Sequence, residues 1–191
     1  DNGGFAAVWS DSGNDGSGYG IFGRRFDASG TAIDSNDFQV NSAISGTQAD
    51  AGITGLPDGG FIVTWTSASA SGDTSSYGVA GQRFDASGNK IGTEFLVNTT
   101  TANQQKYPYV TALDDGDFVV AWGSDLQAGD NSELGVYAQR FTSPSPSGTI
   151  TTTEHSVSTE TSSTTGEAPF GSNVSFGVGG KTLHVYLSAH Q

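Results

Sequence analysis

GGFAAVWS (3–10), GGFIVTWT (59–66) and GDFVVAWG (116–123) are three versions of one segment, and they decide the fold. Their tryptophans, Trp9, Trp65 and Trp122, lie 56 and 57 residues apart. Each segment is followed by a second recurring block: YGIFGRRFDASG (19–30), YGVAGQRFDASG (77–88) and LGVYAQRFTSPS (134–145). A third block, DFQVN (37–41) and EFLVN (94–98), closes the first two units. ITGLPDGG (53–60) and VTALDDGD (110–117) precede the second and third tryptophan segments. Self-similarity at a fixed period is read before any motif, because it sets the architecture.

A full unit reads as four short strands, A to D. Strand A carries YVTAL-type sequence, a DDGD or PDGG turn follows, and strand B is FVVAW-type. A polar loop leads to strand C, and DASG turns into strand D, FxVN. Asp-Gly turns between β-rich runs are hairpin signals, and their glycines supply positive φ. Within strand B, Phe61, Val63 and Trp65 share one face, as do Phe118, Val120 and Trp122. The other face, Ile62 and Thr64, or Val119 and Ala121, is largely apolar too. A strand apolar on both faces lies between two layers. The expected fold is therefore all-β: a β-propeller-like array of four-stranded antiparallel blades over residues 1–143, in about three repeats. A β-solenoid and a β-sandwich are the structural competitors.

The unit count is uneven. Asp1 falls inside the A–B turn of the first unit, so that unit has no strand A, and the third has no FxVN strand. A closed propeller takes at least about four blades. The tail, a second copy closing the ring, or a longer array would each supply the remainder. The first residue is Asp rather than Met, which reads as a processed form or an excised piece. From Thr142 to Gly166, 16 of 25 residues are Ser or Thr, so 144–168 reads as a linker, in which the threonine run could still form an edge strand. Residues 169–191 contain NVSFGVGGKTLHVYLS, a C-terminal β-hairpin expected to dock on the repeats and fill an open blade.

Composition narrows the function. The 191 residues contain no Cys, which removes disulfides, thiol catalysis and Cys-ligated metals. Twenty acidic against seven basic residues give a net charge of −13, which repels nucleic acid and attracts cations. No apolar run approaches the roughly 18 residues of a membrane helix, so membrane insertion is not expected. Calcium is the cation that carboxylates in glycine-rich turns suit. Asp11 and Asp15 in the first B–C loop, and Asp125, Asp130 and Glu133 in the third, are the candidate ligands; a solvated hairpin loop is the alternative.

Arg25, Arg83 and Arg140 recur at one place in strand C among small or apolar neighbours. Each needs a carboxylate or carbonyls, because an unpaired buried charge is costly. Asp27, Asp58 and Asp85 are candidates, in a structural bridge between blades; anion or sugar binding is the alternative. Trp9, Trp65 and Trp122 read mainly as core, and as sugar platforms otherwise. Tyr19, Tyr77 and Tyr137 are candidate ligand-binding aromatics, with Tyr107 and Tyr109 further surface aromatics. Catalytic signals are sparse. His155, His184 and His190 all lie in the tail, no GxSxG or HExxH occurs, and a phosphate loop would need glycine where Ser175 stands.

The wording of PDGGFIVTW (57–65), GDTSSYGVAGQRFDASGNKIGTEFLVNTTT (72–101) and DDGDFVVAW with LGVYAQRF resembles tandem repeats of large secreted bacterial surface proteins. Such repeats stand beside RTX-type calcium-binding sequences or cadherin-like and immunoglobulin-like adhesion domains. The resemblance covers about residues 3–143 and implies export, calcium and surface or matrix association. It carries no catalytic residues. Beyond residue 144 the pattern ends, and Thr142 stands where the other units have Asp27 and Asp85. The expected function is an extracellular, calcium-stabilised, non-catalytic binding or adhesion module recognising a glycan or cell-surface component. A secreted polysaccharide- or ester-cleaving hydrolase and a structural filament unit are the alternatives.

Overall fold

β-branched and aromatic runs separated by Asp-Gly turns give only strands: the described residues contain no helix. The computed structural model describes residues 3–70, 72–73, 76–125 and 135–142, together with three strands of the tail, 152–156, 173–178 and 181–186. No helix of the described residues is long and apolar enough to cross a membrane.

The first sheet holds β1 (Phe5–Ser12), β2 (Tyr19–Phe26) and the short β3 (Phe38–Gln39), in that order. The second is β4 (Gln48–Gly55), β5 (Phe61–Ser67), β6 (Gly78–Phe84) and β7 (Lys90–Leu96). The third is β8 (Gln105–Ala112), β9 (Phe118–Ser124), β10 (Gly135–Phe141) and β11 (Thr152–Ser156). All pairings are antiparallel. The hairpin expected at 169–191 forms as β12 (Asn173–Val178) and β13 (Lys181–Tyr186), a separate two-stranded sheet.

One expectation is corrected here. The open position in the third sheet is taken by β11, from inside the Ser/Thr-rich segment, and not by the hairpin. β11 opens with adjacent β-branched threonines, Thr152 and Thr153, a residue type that suits a strand at an edge. The third sheet therefore reaches past residue 143.

Two cores hold the three sheets in a stack. Between the first and second sheets, Ile21 and Val40 meet Phe61, Val63, Trp65 and Phe84. Between the second and third, Leu56, Ile62, Val79 and Val97 meet Phe118, Val120, Trp122 and Phe141. All seven residues of β5, and all seven of β9, are buried. The phenylalanine that opens strand B stacks on the one that ends strand C: Phe61 on Phe84 at 4.7 Å, Phe118 on Phe141 at 4.8 Å.

Ile62 is fully buried on the face of the second sheet that meets the third. Ile62→Ala should cost about 2–4 kcal/mol, the transfer of its lost methyl groups plus the cavity left behind. Urea unfolding should show a lower midpoint with an unchanged slope; a midpoint within error of the parent would contradict the two-sided burial.

Candidate functional site

The loops and strand ends at each sheet junction carry the polar side chains with something to do. At the first junction Asn41 is 2 % exposed. Its Oδ1 accepts the Ile21 N–H at 2.8 Å. Its Nδ2 lies within reach of Asp15 Oδ2 (3.3 Å), Ala43 O (3.2 Å) and Gln48 Oε1 (3.2 Å). The second junction repeats this atom for atom. Asn98 Oδ1 accepts Val79 N–H at 2.8 Å, and Nδ2 faces Asp73 Oδ2 (3.1 Å), Thr100 O (2.9 Å) and Gln105 Oε1 (3.3 Å). The glutamine belongs to the first strand of the next sheet, so this Asp–Asn–Gln latch joins consecutive sheets. Gly20 and Gly78 make room for it: a Cβ there would come within 2.7 and 2.8 Å of the Asp15 and Asp73 carboxylates.

The latch gives Asp15 a role the sequence reading did not assign. Its carboxylate is buried, accepting the Ser17 N–H and facing Asn41. Asp11 accepts from Asn14 at 2.7 Å on the surface. Asp125 is half-buried behind β9, its N–H bonded to Gln104 O. Asp130 and Glu133 lie outside the described residues. Among the described residues no three of His, Cys, Asp or Glu gather into a metal-binding group.

The arginines are held mostly within their own sheets. Arg83 pairs with Asp58 at 2.6 Å, and Arg140 with Asp115 and Asp117 at 2.6 and 2.8 Å. Arg25 uses Asp34, a partner outside the expected set, at 2.6 Å. Arg25 also reaches Ala86 O of the second sheet's DASG turn at 3.2 Å, and its guanidinium covers Gly88. Asp27 and Asp85 instead cap their own turns. Asp27 accepts from Ser29 and Thr31, and Asp85 from Asn89. Those bonds hold both carboxyls below the usual range, the Ser29 hydroxyl and the Asn89 amide being the largest causes.

Trp65 and Trp122 are fully buried core residues, while Trp9 is half-buried at the outer face of the stack. Tyr137 is corrected from ligand-binding to core: it lies opposite Trp122 and is 4 % exposed. Tyr19 is 48 % exposed, and Tyr77, its counterpart, is half-buried, with Lys106 Nζ over its ring at 4.3 Å. Ala49 occupies the Lys106 position beside Tyr19 and leaves that ring open.

Lys106 begins an aromatic ledge. Tyr107 and Tyr109 are 53 % and 45 % exposed, with buried Pro108 between them. The backbone turns outward here through a bulge, and Tyr107 sits at φ 58°, where a bulky side chain is disfavoured. Its N–H donates to Thr66 Oγ1 of the second sheet at 3.0 Å, and Gln105 N–H donates to Tyr77 O at 2.8 Å. Strain of this kind persists only where the surroundings fix it. Tyr107 and Tyr109 are thus two exposed phenols on one backbone stretch bonded to the second sheet, next in sequence to Lys106.

No protein-family model and no curated protein matches this sequence.

Two outcomes test the site's framework. Asn98→Ala should strip the Val79 N–H of its acceptor and lower stability by about 1–3 kcal/mol, read by thermal unfolding, with Asn41→Ala behaving alike. The Arg25 hydrogen bond is the main cause holding the Asp34 carboxyl below its ordinary 3.8. A carboxyl depressed on folding adds stability that is complete above its unfolded value and lost as the pH falls through the folded one. Melting temperature should therefore drop with acidification below about pH 4, and Asp34→Asn should lower it at neutral pH while flattening that drop.

Proposed function

We propose that this chain is an extracellular, non-catalytic recognition module of propeller-like construction that binds neutral glycans of a cell surface or matrix through the Tyr107–Tyr109 ledge. The observation that carries this reading is that ledge: two half-exposed phenol rings on a backbone fixed in a disfavoured conformation. Phenol faces offer a pyranose its C–H groups a flat apolar platform, while the hydroxyls reach sugar oxygens. Lys106 stacked on Tyr77 supplies a donor at the ledge's end. The net charge of −13 disfavours polyanionic partners and so favours neutral sugars.

Two further features support the propeller-like and secreted parts of the reading. Sheets stacked face to face by a repeating unit are the layers a propeller arranges radially. The likeness to repeats of secreted bacterial surface proteins brings export and calcium with it. Calcium would be held by the Asp-Gly loops, Asp11 and Asp125 among them, with backbone carbonyls filling most positions.

Glycan-array screening of the intact chain should return neutral oligosaccharides. Tyr107→Ala with Tyr109→Ala should weaken the best of them by about tenfold or more, since each lost ring removes about 1 kcal/mol of contact. Unfolding midpoints should stay near the parent's, because both rings are at the surface. Loss of the fold rather than of binding, or full affinity in the double variant, would remove the ledge from the function. Calcium should raise the melting temperature and EDTA reverse it; equal midpoints would remove the metal.

A further inference from the structure

The two sheet junctions are built alike, but one covers a tyrosine with its own lysine and the other leaves that tyrosine open. Tyr19 and Tyr77 hold the same place at the start of strand C, in YGIFGRRF and YGVAGQRF. Each lies beside the start of the next sheet's first strand. Gln105 N–H donates to Tyr77 O at 2.8 Å, which sets Lys106 next to that tyrosine. At the first junction Gly18 lies against the residues before Gln48: a Cβ there would meet Gly46 O at 2.6 Å and Thr47 Oγ1 at 3.5 Å. Ala49 and Lys106 also match in register, each being the last paired residue before its strand's bulge. At the second junction Lys106 Nζ stands 4.3 Å from the centroid of the Tyr77 ring, within the range at which the face of a phenol attracts an ammonium. At the first, Ala49 supplies no such group, and Tyr19 is 48 % exposed. Charge differs in the same sense. Asp11 stands where the second junction has Ser67, and Asp50 where it has Tyr107. At these matching positions the first junction has one ammonium fewer and two carboxylates more.

We infer that Tyr19 is the floor of a binding site for a primary ammonium on an alkyl stem, the chemistry of a lysine side chain, supplied by another molecule. Lys106 on Tyr77 is the internal template of the occupied site. The attraction is that of a cation for the negative face of an aromatic ring. A net charge of −13 draws cations to the chain, and Asp11 and Asp50 add to that field at this junction. An anion is repelled by the same ring and the same carboxylates. A neutral group of equal shape keeps the contact and loses the electrostatic part. The site shares no residue with the Tyr107–Tyr109 ledge and takes a different chemical class, so it does not depend on the glycan proposal.

The probe is Nα-acetyl-lysine methylamide, added to the intact chain at constant ionic strength. Its Nε-acetylated form, which keeps the shape and removes the charge, is the control. The chain has six tyrosines, so ring-labelled tyrosine gives a small set of NMR signals, and Tyr19→Phe identifies those of Tyr19. The Tyr19 signals should shift with the probe and saturate in the millimolar range, while those of Tyr77 stay in place. The control should bind about two- to fivefold more weakly, the share that a cation adds at an exposed ring. Ala49→Lys places a resident ammonium at the site and should weaken the probe at Tyr19 by a similar factor. Lys106→Ala uncovers the other ring, and the Tyr77 signals should then follow the probe. That second variant carries the test even where Ala49→Lys does not fold. Equal binding of probe and control overturns the inference, as does a Tyr19 that does not respond. Undiminished binding by folded Ala49→Lys, or a Tyr77 that ignores the probe in Lys106→Ala, overturns it too.

Discussion

A strand buried on both faces needs a layer on each side, and β5 is such a strand: all seven of its residues are buried, with Thr64 and Thr66 sharing the second face with Ile62. Phe61, Val63 and Trp65 need one cover and Ile62 needs another, so the second sheet has to lie between the first and third. Within a sheet, a ring also fills the hollow of a glycine on the neighbouring strand. Phe38 lies on Gly23 and Phe95 on Gly81, so closely that a Cβ would approach the rings to 2.9 and 2.6 Å. The phenylalanine of FxVN thus fills the hollow a glycine leaves on the strand before it. In the third sheet Ala138 stands at the Gly81 position, and no FxVN follows. The hollow and the ring that fills it are present together or absent together. The third sheet takes β11 at that edge instead.

Apolar cover fixes spacing but leaves sheets free to slide, and the buried amides remove that freedom. Asn41 and Asn98 each accept a β-strand N–H on Oδ1 in one sheet and donate from Nδ2 to a glutamine Oε1 in the next. Shifting one sheet by a residue would leave several buried polar groups without partners, each at a cost of about 1–3 kcal/mol. A fully bonded polar network of this kind selects one arrangement among several that would bury equal apolar area.

The layering was legible because burial on both faces writes itself into consecutive residues, and the period of the tryptophans counts the layers. The latch was harder to read. Asp15 stands in an Asp-Gly-Ser loop, and that spelling serves a metal loop and an inward-turned carboxylate equally. What separates them is Asn41, 26 residues on, and Gln48, seven further, a recurrence visible in Asp73, Asn98 and Gln105. Tyr137 was misjudged for a different reason. Exposure in a strand depends on which face the register assigns, and pairing with Trp122 turns this ring inward. Arg25 found Asp34 because the loop after β2 in the first unit carries an acid that the other units place before strand B.

The ledge shows where such a scaffold leaves room for recognition. β4 and β8 share a bulge, at Asp50 with φ 55° and at Tyr107 with φ 58°, so the backbone there is dictated by the stack. The side chains are not. Ala49, Asp50 and Gly52 in one strand are Lys106, Tyr107 and Tyr109 in the other. A residue in a disfavoured conformation at a fixed place, facing outward and with its main chain bonded to the neighbouring sheet, can change identity without disturbing the core. Repeats with invariant interiors and variable bulges present different side chains from one rigid frame, and function lies in that difference rather than in the fold. Two phenol rings stand at one bulge and a carboxylate at its twin, so neighbouring sheets of one stack offer different surfaces on equal backbones.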